Sequence, residues 1–448
     1  MNPFPISAAD PISYPGPLPA QADVVVIGGG ILGVMSAWEL AKRGTKVALL
    51  EKGRIAAEQS SRNWGWVRAQ GRDAAEVPIM LDAARTWRQM ADEIGEDIGL
   101  RQSGVTYLAA TEKDLARYAA WLPIAKEYGL DTVVLGAKET AAQFEGSVTP
   151  WAGALWTPGD MRAEPWIAVP ALARAAARDG VTIIEGCAAR MIETAAGRVC
   201  GVVTEMGSVK ASSVVVAGGA WSSLFLRRHG VKIPQLSVRA TVAATAPIEN
   251  LHHGAAVDNR LAFRRRQDGG YTLAASGFHE LYVGPDAFRA FGSFTSQLMQ
   301  DPMGTRLKAV PPKDYPDAWG TSRRWSADEI TPFEKMRVLN PAPNMKKVHG
   351  MAKAFADTYP HLGKVEITTV WAGMIDTMPD LVPVVDNIAD IPGLTIATGM
   401  CGHGFGIGPG FGRVTAQLVT GETPTHDISR FRLSRFHDGS KLILGPNL

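Results

Sequence analysis

Val24-Val25-Val26-Ile27-Gly28-Gly29-Gly30-Ile31-Leu32-Gly33, read on as far as Glu51, is the stretch that decides the fold. Val24–Ile27 is a short, wholly apolar, β-branched run, the pattern of a strand buried on both faces in a parallel sheet. It passes directly into glycines. Residues 34–43 then show helical spacing, closed by Gly44 where a helix C-terminal glycine belongs. Residues 45–50 read as a second apolar strand, and Glu51 ends it.

Each part has a physical task. Gly28 permits the tight turn from strand to helix, Gly30 lets the backbone approach a pyrophosphate, and Gly33 allows close packing of helix on strand. The first helical turn offers unpaired N–H groups and a partial positive charge to phosphates. Glu51, eighteen positions after Gly33, can accept hydrogen bonds from ribose hydroxyls. With no arginine adjacent to that acid, a 2′-phosphate is disfavoured. The βαβ unit predicts a dinucleotide site but does not by itself separate NAD from FAD.

Composition narrows the setting. At 448 residues two domains are the default, and a formal charge of +2 lacks the basic bias of a nucleic-acid binder. Cys187, Cys200 and Cys401 are too few for a disulfide framework and share no metal-ligand spacing, so no metal is expected and a reducing compartment fits. The proline-rich start, residues 1–21, has neither a basic n-region nor a long apolar run, so it predicts an extended surface arm rather than a secretory signal. No 18-residue apolar run suggests a transmembrane helix, and a cytoplasmic protein is expected.

Three later segments favour FAD. Gln59-Ser60-Ser61-Arg62-Asn63-Trp64-Gly65-Trp66 is a polar stretch able to complete a pyrophosphate cradle. Residues 214–222, VVVAGGAWS, read as a β-branched strand ending in small residues. Residues 394–397 read as a strand feeding the glycine-rich loop 398–409, TGMCGHGFGIGP, ahead of a helix over 412–420. A helix N-terminus there could stabilise negative charge on a reduced flavin.

Taken in order, VVVIGGGILG…LLEKG, SSRNWGW, VVVAGGAWS, WAGM…MPDLVPVV and TGMCGHGFGIGP resemble the D-amino-acid oxidase/dehydrogenase superfamily, which includes glycine oxidase, sarcosine oxidase and bacterial D-amino-acid dehydrogenase. The likeness spans roughly residues 24 to 435. It implies an α/β fold: a Rossmann-like FAD-binding domain over 1–95, 150–232 and 350–448, with an α+β substrate domain over 96–149 and 233–349 carrying a large mixed sheet. A hairpin signal at residues 261–263 and Tyr271–Ala275, around Asp268-Gly269-Gly270, fits that layout.

The resemblance also implies the site. Gly28, Gly30, Ile31, Leu32 and Gly33 would hold the pyrophosphate of a non-covalent FAD, and Glu51 with Lys52 the adenosine ribose. Ser60, Ser61, Arg62 and Asn63 would follow the pyrophosphate and ribityl chain, with Trp64, Gly65 and Trp66 near the isoalloxazine. Ala189 would meet the adenine. Gly219, Trp221 and Gly373 would line the cofactor, and Gly402, His403, Gly404, Phe405, Gly406 and Ile407 would close over the flavin carbonyl edge.

Family members oxidise a C–H bond next to nitrogen, giving an imine that hydrolyses, so the implied substrate is a small amino-acid-like molecule. A substrate carboxylate calls for an arginine fork. The glycine and D-amino-acid branches place one where this chain has Ile375, whereas the sarcosine branch uses one shortly after the serine-rich loop. Arg68 holds that place, with Arg72 behind it. His403 is the other catalytic candidate. Arg264, Arg265 and Arg266 read as a solvated charge run, and Cys401 as a buried inert thiol. Trp64, Trp66 and Trp371 could wall the pocket. Tyr271–Ala275 contains no lysine of the kind that helps sarcosine oxidases react with dioxygen, which favours a quinone or carrier over dioxygen as acceptor. The alternatives are a 2-hydroxy acid dehydrogenase, an FAD subunit of a heteromeric amine oxidase, and an aromatic-ring monooxygenase.

Overall fold

The computed structural model describes residues 4–301 and 304–445. Residues 1–3 of the expected arm, 446–448 of the expected FAD-binding part and 302–303 of the expected substrate part lie outside the described residues.

Val24–Ile27 sits inside a six-stranded sheet, ordered Val384–Asn387, Leu394–Thr398, Ser213–Val216, Val24–Ile27, Val47–Glu51, Thr182–Glu185. All neighbours run parallel except the edge strand Val384–Asn387. Val25 lies opposite both Val214 and Ala48, and all three are fully buried, which is why the strand carries no polar alternation.

The helix after the glycines begins at Ile31, three residues earlier than its apolar spacing predicts. The Ser60 hydroxyl accepts the Ile31 N–H at 2.9 Å, a cap donated by a distant loop that local sequence cannot reveal. Gly44 ends the helix as expected, at φ +78°, with the Thr45 N–H reaching back to the Leu40 carbonyl.

A larger departure lies at the other glycine-rich segment. The expected loop over 398–409 is only a tight turn, and the helix runs Gly404–Thr420, eight residues longer than predicted. Its glycines serve packing. A Cβ on Gly408 would stand 2.6 Å from the Ile31 side chain, one on Gly410 would stand 2.5 Å from the Ile79 carbonyl oxygen, and one on Gly412 would stand 2.6 Å from Met35 Cβ. The helix thus lies directly against both Ile31–Ala41 and Glu76–Ile94.

A ten-stranded mixed sheet forms the second layer, with Leu236–Thr245 paired along its whole length to Ile367–Thr377. The predicted hairpin is present as Leu261–Arg265 against Tyr271–Ala275. Gly153–Thr157 and Ile367–Thr377 belong to this sheet although they fall within segments expected on the FAD side. The proline-rich arm is more than a surface strand: Phe4 stacks on Trp166 at 4.2 Å, and the buried Ile6 accepts an Arg62 hydrogen bond at its carbonyl. Among the described residues no helix is long and apolar enough to cross a membrane.

Candidate active site

A continuous cavity of about 1480 Å³ runs from the glycine turn, past Glu51 and Ala189, between the two sheets to Arg68 and beyond. Its first end is shaped by glycine. Gly28 takes φ +113°, and a Cβ there would stand 2.5 Å from the Ala217 carbonyl oxygen. A Cβ on Gly33 would stand 1.9 Å from the Gly28 carbonyl oxygen, so both glycines are required by close backbone approach. Gly30 is different: only Ser60 Oγ, at 3.2 Å, lies near its missing Cβ, leaving the helix tip open toward the cavity. That space suits a pyrophosphate.

Glu51 is fixed from both sides, accepting the Gly29 N–H and the Gly53 N–H at 2.7 Å each. Burial pushes its carboxyl upward, against Lys52 and those two N–H groups. Each carboxylate oxygen keeps a second lone pair for a ribose hydroxyl. Lys52 is held by Glu58 at 2.6 Å, and Glu58 also takes the indole N–H of Trp221. Glu58 went unnoticed in the sequence because a lone glutamate in a loop carries no pattern.

The serine-rich segment forms one helical turn, Gln59–Arg62. Asn63 Oδ1 then accepts the Gly65 N–H at 2.7 Å, an Asx turn that swings Trp64 and Trp66 to the cavity wall. The far wall is set by Asp376, which is 2% exposed and accepts the Gly399 N–H at 2.8 Å. Beyond that bond, Cys401 (φ +51°) and Gly402 (φ +81°) turn the chain so that the Gly404–Thr420 helix starts beside the cavity. Cys401 lines the same wall, but burial drives its thiol well above its ordinary range, leaving it protonated.

Most of the expected cofactor residues reach this cavity, including Ile31, Leu32, Arg62, Gly219, Gly373 and Phe405. Gly33, Ser61, Gly65, Gly406 and Ile407 stand one layer back. Ile407 is fully buried core, and Gly406 makes room for the Trp66 and Val67 backbone. Trp371 is also core rather than wall, giving its indole N–H to the Arg62 carbonyl. Of Arg264–Arg266, expected to be a solvated run, Arg264 and Arg266 instead turn inward, while Arg265 stays half-exposed. Arg264 pairs with Glu164 and Arg266 with Asp268, while Arg265 donates to the Ile248 and Glu249 carbonyls.

Arg68 lines the cavity at 9% exposure. It donates to the Gln70 carbonyl, lies 5.7 Å from the Tyr107 ring, and forms no ion pair with a carboxylate among the described residues. Beneath it Asp160 accepts the Ala69 and Gln70 N–H groups, and burial raises its carboxyl to about 7. Trp66, Tyr107, Tyr118, Trp121 and Val242 form one apolar cluster along the adjoining lobe. His403 lines the cavity as well, and burial with the charge of Arg72 lowers its ring to about 4.

A βαβ dinucleotide cradle opening onto a second cavity lobe lined by Arg68 and aromatic side chains defines a dinucleotide-dependent oxidoreductase. Residues 23–418 match the model of the FAD dependent oxidoreductase family, DAO, and the chain belongs to that family. The structure of L-amino acid deaminase from Proteus myxofaciens in complex with anthranilate aligns at a TM-score of 0.91 and 32% identity, over 96% of this chain and 97% of that one. Glycine oxidase of Geobacillus kaustophilus is 27% identical over 92% of this chain and 97% of its own length. Human mitochondrial sarcosine dehydrogenase is 32% identical over 62% of this chain, but the match spans only 32% of that larger protein. FAD is therefore the cofactor, and the chain is an FAD-dependent oxidoreductase.

Proposed function

We propose that the protein oxidises the C–H bond next to the nitrogen of an amino acid bearing an apolar or aromatic side chain, transferring a hydride to non-covalent FAD. The imine product then hydrolyses. One observation carries this reading: Arg68 is a buried arginine facing the cavity that forms no ion pair with a carboxylate among the described residues, Asp160 and Glu76 feeling its charge only from a distance. An unpaired buried guanidinium is costly, and a substrate carboxylate removes that cost through a bidentate contact. The Proteus myxofaciens enzyme was captured with anthranilate, an aromatic carboxylate, which supports the same reading.

Bound FAD supplies the two-electron acceptor chemistry. The chain supplies position. Arg68 fixes the carboxylate, and the Trp66, Tyr107 and Trp121 lobe takes the side chain and excludes water. Together they hold the Cα–H on one line. The absence of lysine from Tyr271–Ala275 favours delivery of electrons to a quinone or protein carrier rather than to dioxygen.

Anaerobic mixing of the holoenzyme with L- and D-amino acids, N-methyl amino acids and 2-hydroxy acids tests the reading. Apolar and aromatic amino acids should bleach the flavin. Bleaching by 2-hydroxy acids alone would replace it with the C–OH reading, and admitting air then reports whether peroxide forms.

A further inference from the structure

At the cavity wall beside Arg68, four buried polar atoms have no hydrogen-bond partner among the described residues: Arg72 Nη1 and His403 Nδ1 on the wall, and both carboxylate oxygens of Glu76, which stands behind it. They come from three elements. Arg72 follows the Trp66–Val67 strand, Glu76 opens the Glu76–Ile94 helix, and His403 precedes the Gly404–Thr420 helix. Glu76 and Arg72 are each 1% exposed. Arg72 Nη1 lies 3.9 Å from Glu76 Oε1, and His403 Nδ1 lies 3.7 Å from Glu76 Oε2.

Those separations are too long for direct hydrogen bonds and too short for the charges to act independently. The cluster is held in place from outside. Arg72 Nη2 donates to the His403 carbonyl and Nε to the Arg68 carbonyl, at 3.1 Å each, while the Trp121 indole donates to the Arg72 carbonyl. A carboxylate buried this deeply between a guanidinium and an imidazole satisfies no packing need. Its position does suit a histidine that must gain and lose a proton.

An amino acid in neutral water carries an ammonium group, and its C–H bond cannot be oxidised toward an imine until that nitrogen regains its electron pair. We propose that His403 accepts the proton of the substrate ammonium and that Glu76 is its positioning residue. The inference rests on the amino-acid reading above. In the step, an N–H bond of the ammonium breaks with its electron pair staying on nitrogen, and an N–H bond forms at His403 Nε2. His403 Nδ1 faces Glu76 Oε2 at 3.7 Å; a proton on Nδ1 toward that carboxylate sets the tautomer and offsets the imidazolium charge.

The surrounding charges act on both partners. Arg68 and Arg72 weaken the hold of the ammonium on its proton and lower the His403 ring as well, so Glu76 is the group that favours the protonated imidazole. Burial disfavours the Glu76 carboxylate, but His403 and Arg72 outweigh it and keep the group below its ordinary range, hence ionised. The remaining titratable group on the turn is the Cys401 thiol, with Asp376 and Asp380 behind it.

The test compares wild-type holoenzyme with Glu76→Gln, Glu76→Asp and His403→Gln, using anaerobic flavin reduction by L-phenylalanine, L-leucine and sarcosine across pH. Loss of either group should move the ascending limb to higher pH, slowing reduction by about tenfold or more at neutral pH. Glu76→Asp should restore much of it, and benzoate, which has no ammonium, should bind all forms alike. In histidine-labelled holoenzyme without substrate, the His403 ring should titrate lower in Glu76→Gln than in wild type. Flavin reduction with an unmoved limb in both Glu76→Gln and His403→Gln, or an unchanged His403 titration, overturns the inference alone. Failure of every amino acid to reduce the wild-type flavin overturns the amino-acid reading, and the inference falls with it.

Discussion

Arg264 grips Glu164 through two hydrogen bonds of 2.9 Å, with both side chains almost wholly buried. Arg264 Nε also donates to the Trp64 carbonyl at 2.6 Å, and Glu164 Oε1 also accepts the Gln267 N–H at 2.8 Å. The pair therefore ties the loop at the cavity wall to a strand of the ten-stranded sheet, fixing the distance between cofactor cradle and substrate lobe.

That tie gives the first prediction. Glu164→Gln leaves a buried guanidinium without its counter-charge and should cost about 3–5 kcal/mol of stability, read from urea denaturation of the holoenzyme. A loss within about 0.5 kcal/mol, the range of ordinary surface changes, would mean that the pair is dispensable.

Arg68 should behave differently, as a ligand-binding rather than a structural arginine. Arg68→Lys keeps the charge but loses the planar fork, and carboxylate substrates should bind about 1.5–3 kcal/mol more weakly with little change in melting temperature. Unaltered affinity and flavin-reduction rate would remove Arg68 from the site.

Asp160 supplies a pH signature. Its folded-state carboxyl stands at about 7, raised by burial from an ordinary value of 3.8. Between those values the folded protein binds more protons than the unfolded chain, so this group makes stability fall as pH rises from about 4 to about 7. Asp160→Asn should flatten that part of the stability–pH curve and gain relative stability in alkali. An identical curve in the variant would show that Asp160 does not titrate there.

The cofactor cradle was legible because its constraints are local. Gly33 is dictated by backbone contact within one βαβ unit, Gly28 by the positive φ of the strand-to-helix turn, and Glu51 by the end of the next strand; only the Ala217 carbonyl that also crowds Gly28 comes from far along the chain. The substrate side was not. Tyr107 and Trp121 reach the cavity from separate elements, with Glu76 buried behind its wall, and nothing in their own neighbourhoods distinguishes them from core residues. Arg264 read as a surface charge because its partner Glu164 lies 100 residues away. The glycines from 404 to 412 misled for a related reason: alternating glycine signals a loop when read alone, and only the facing helices show that it makes a smooth helical surface.

That helix provides the last prediction, because two effects of one substitution oppose each other there. Replacing a mid-helix glycine by alanine should gain about 0.5–1 kcal/mol from backbone entropy. At Gly350, in the exposed part of Met345–Thr358, nothing lies within 4 Å of the added Cβ, so Gly350→Ala should show that gain. At Gly410 the same atom meets the Ile79 carbonyl oxygen at 2.5 Å, a backbone group that cannot rotate away. Overpacking of that kind costs about 1–3 kcal/mol and should win. Because the helix starts at the cavity wall, pushing it off Glu76–Ile94 should also displace Gly404 and Phe405 and weaken FAD retention. Thermal denaturation and FAD titration of the two variants, side by side, check both signs; a stabilised Gly410→Ala protein with full FAD affinity would show that the two helices are not in the contact described.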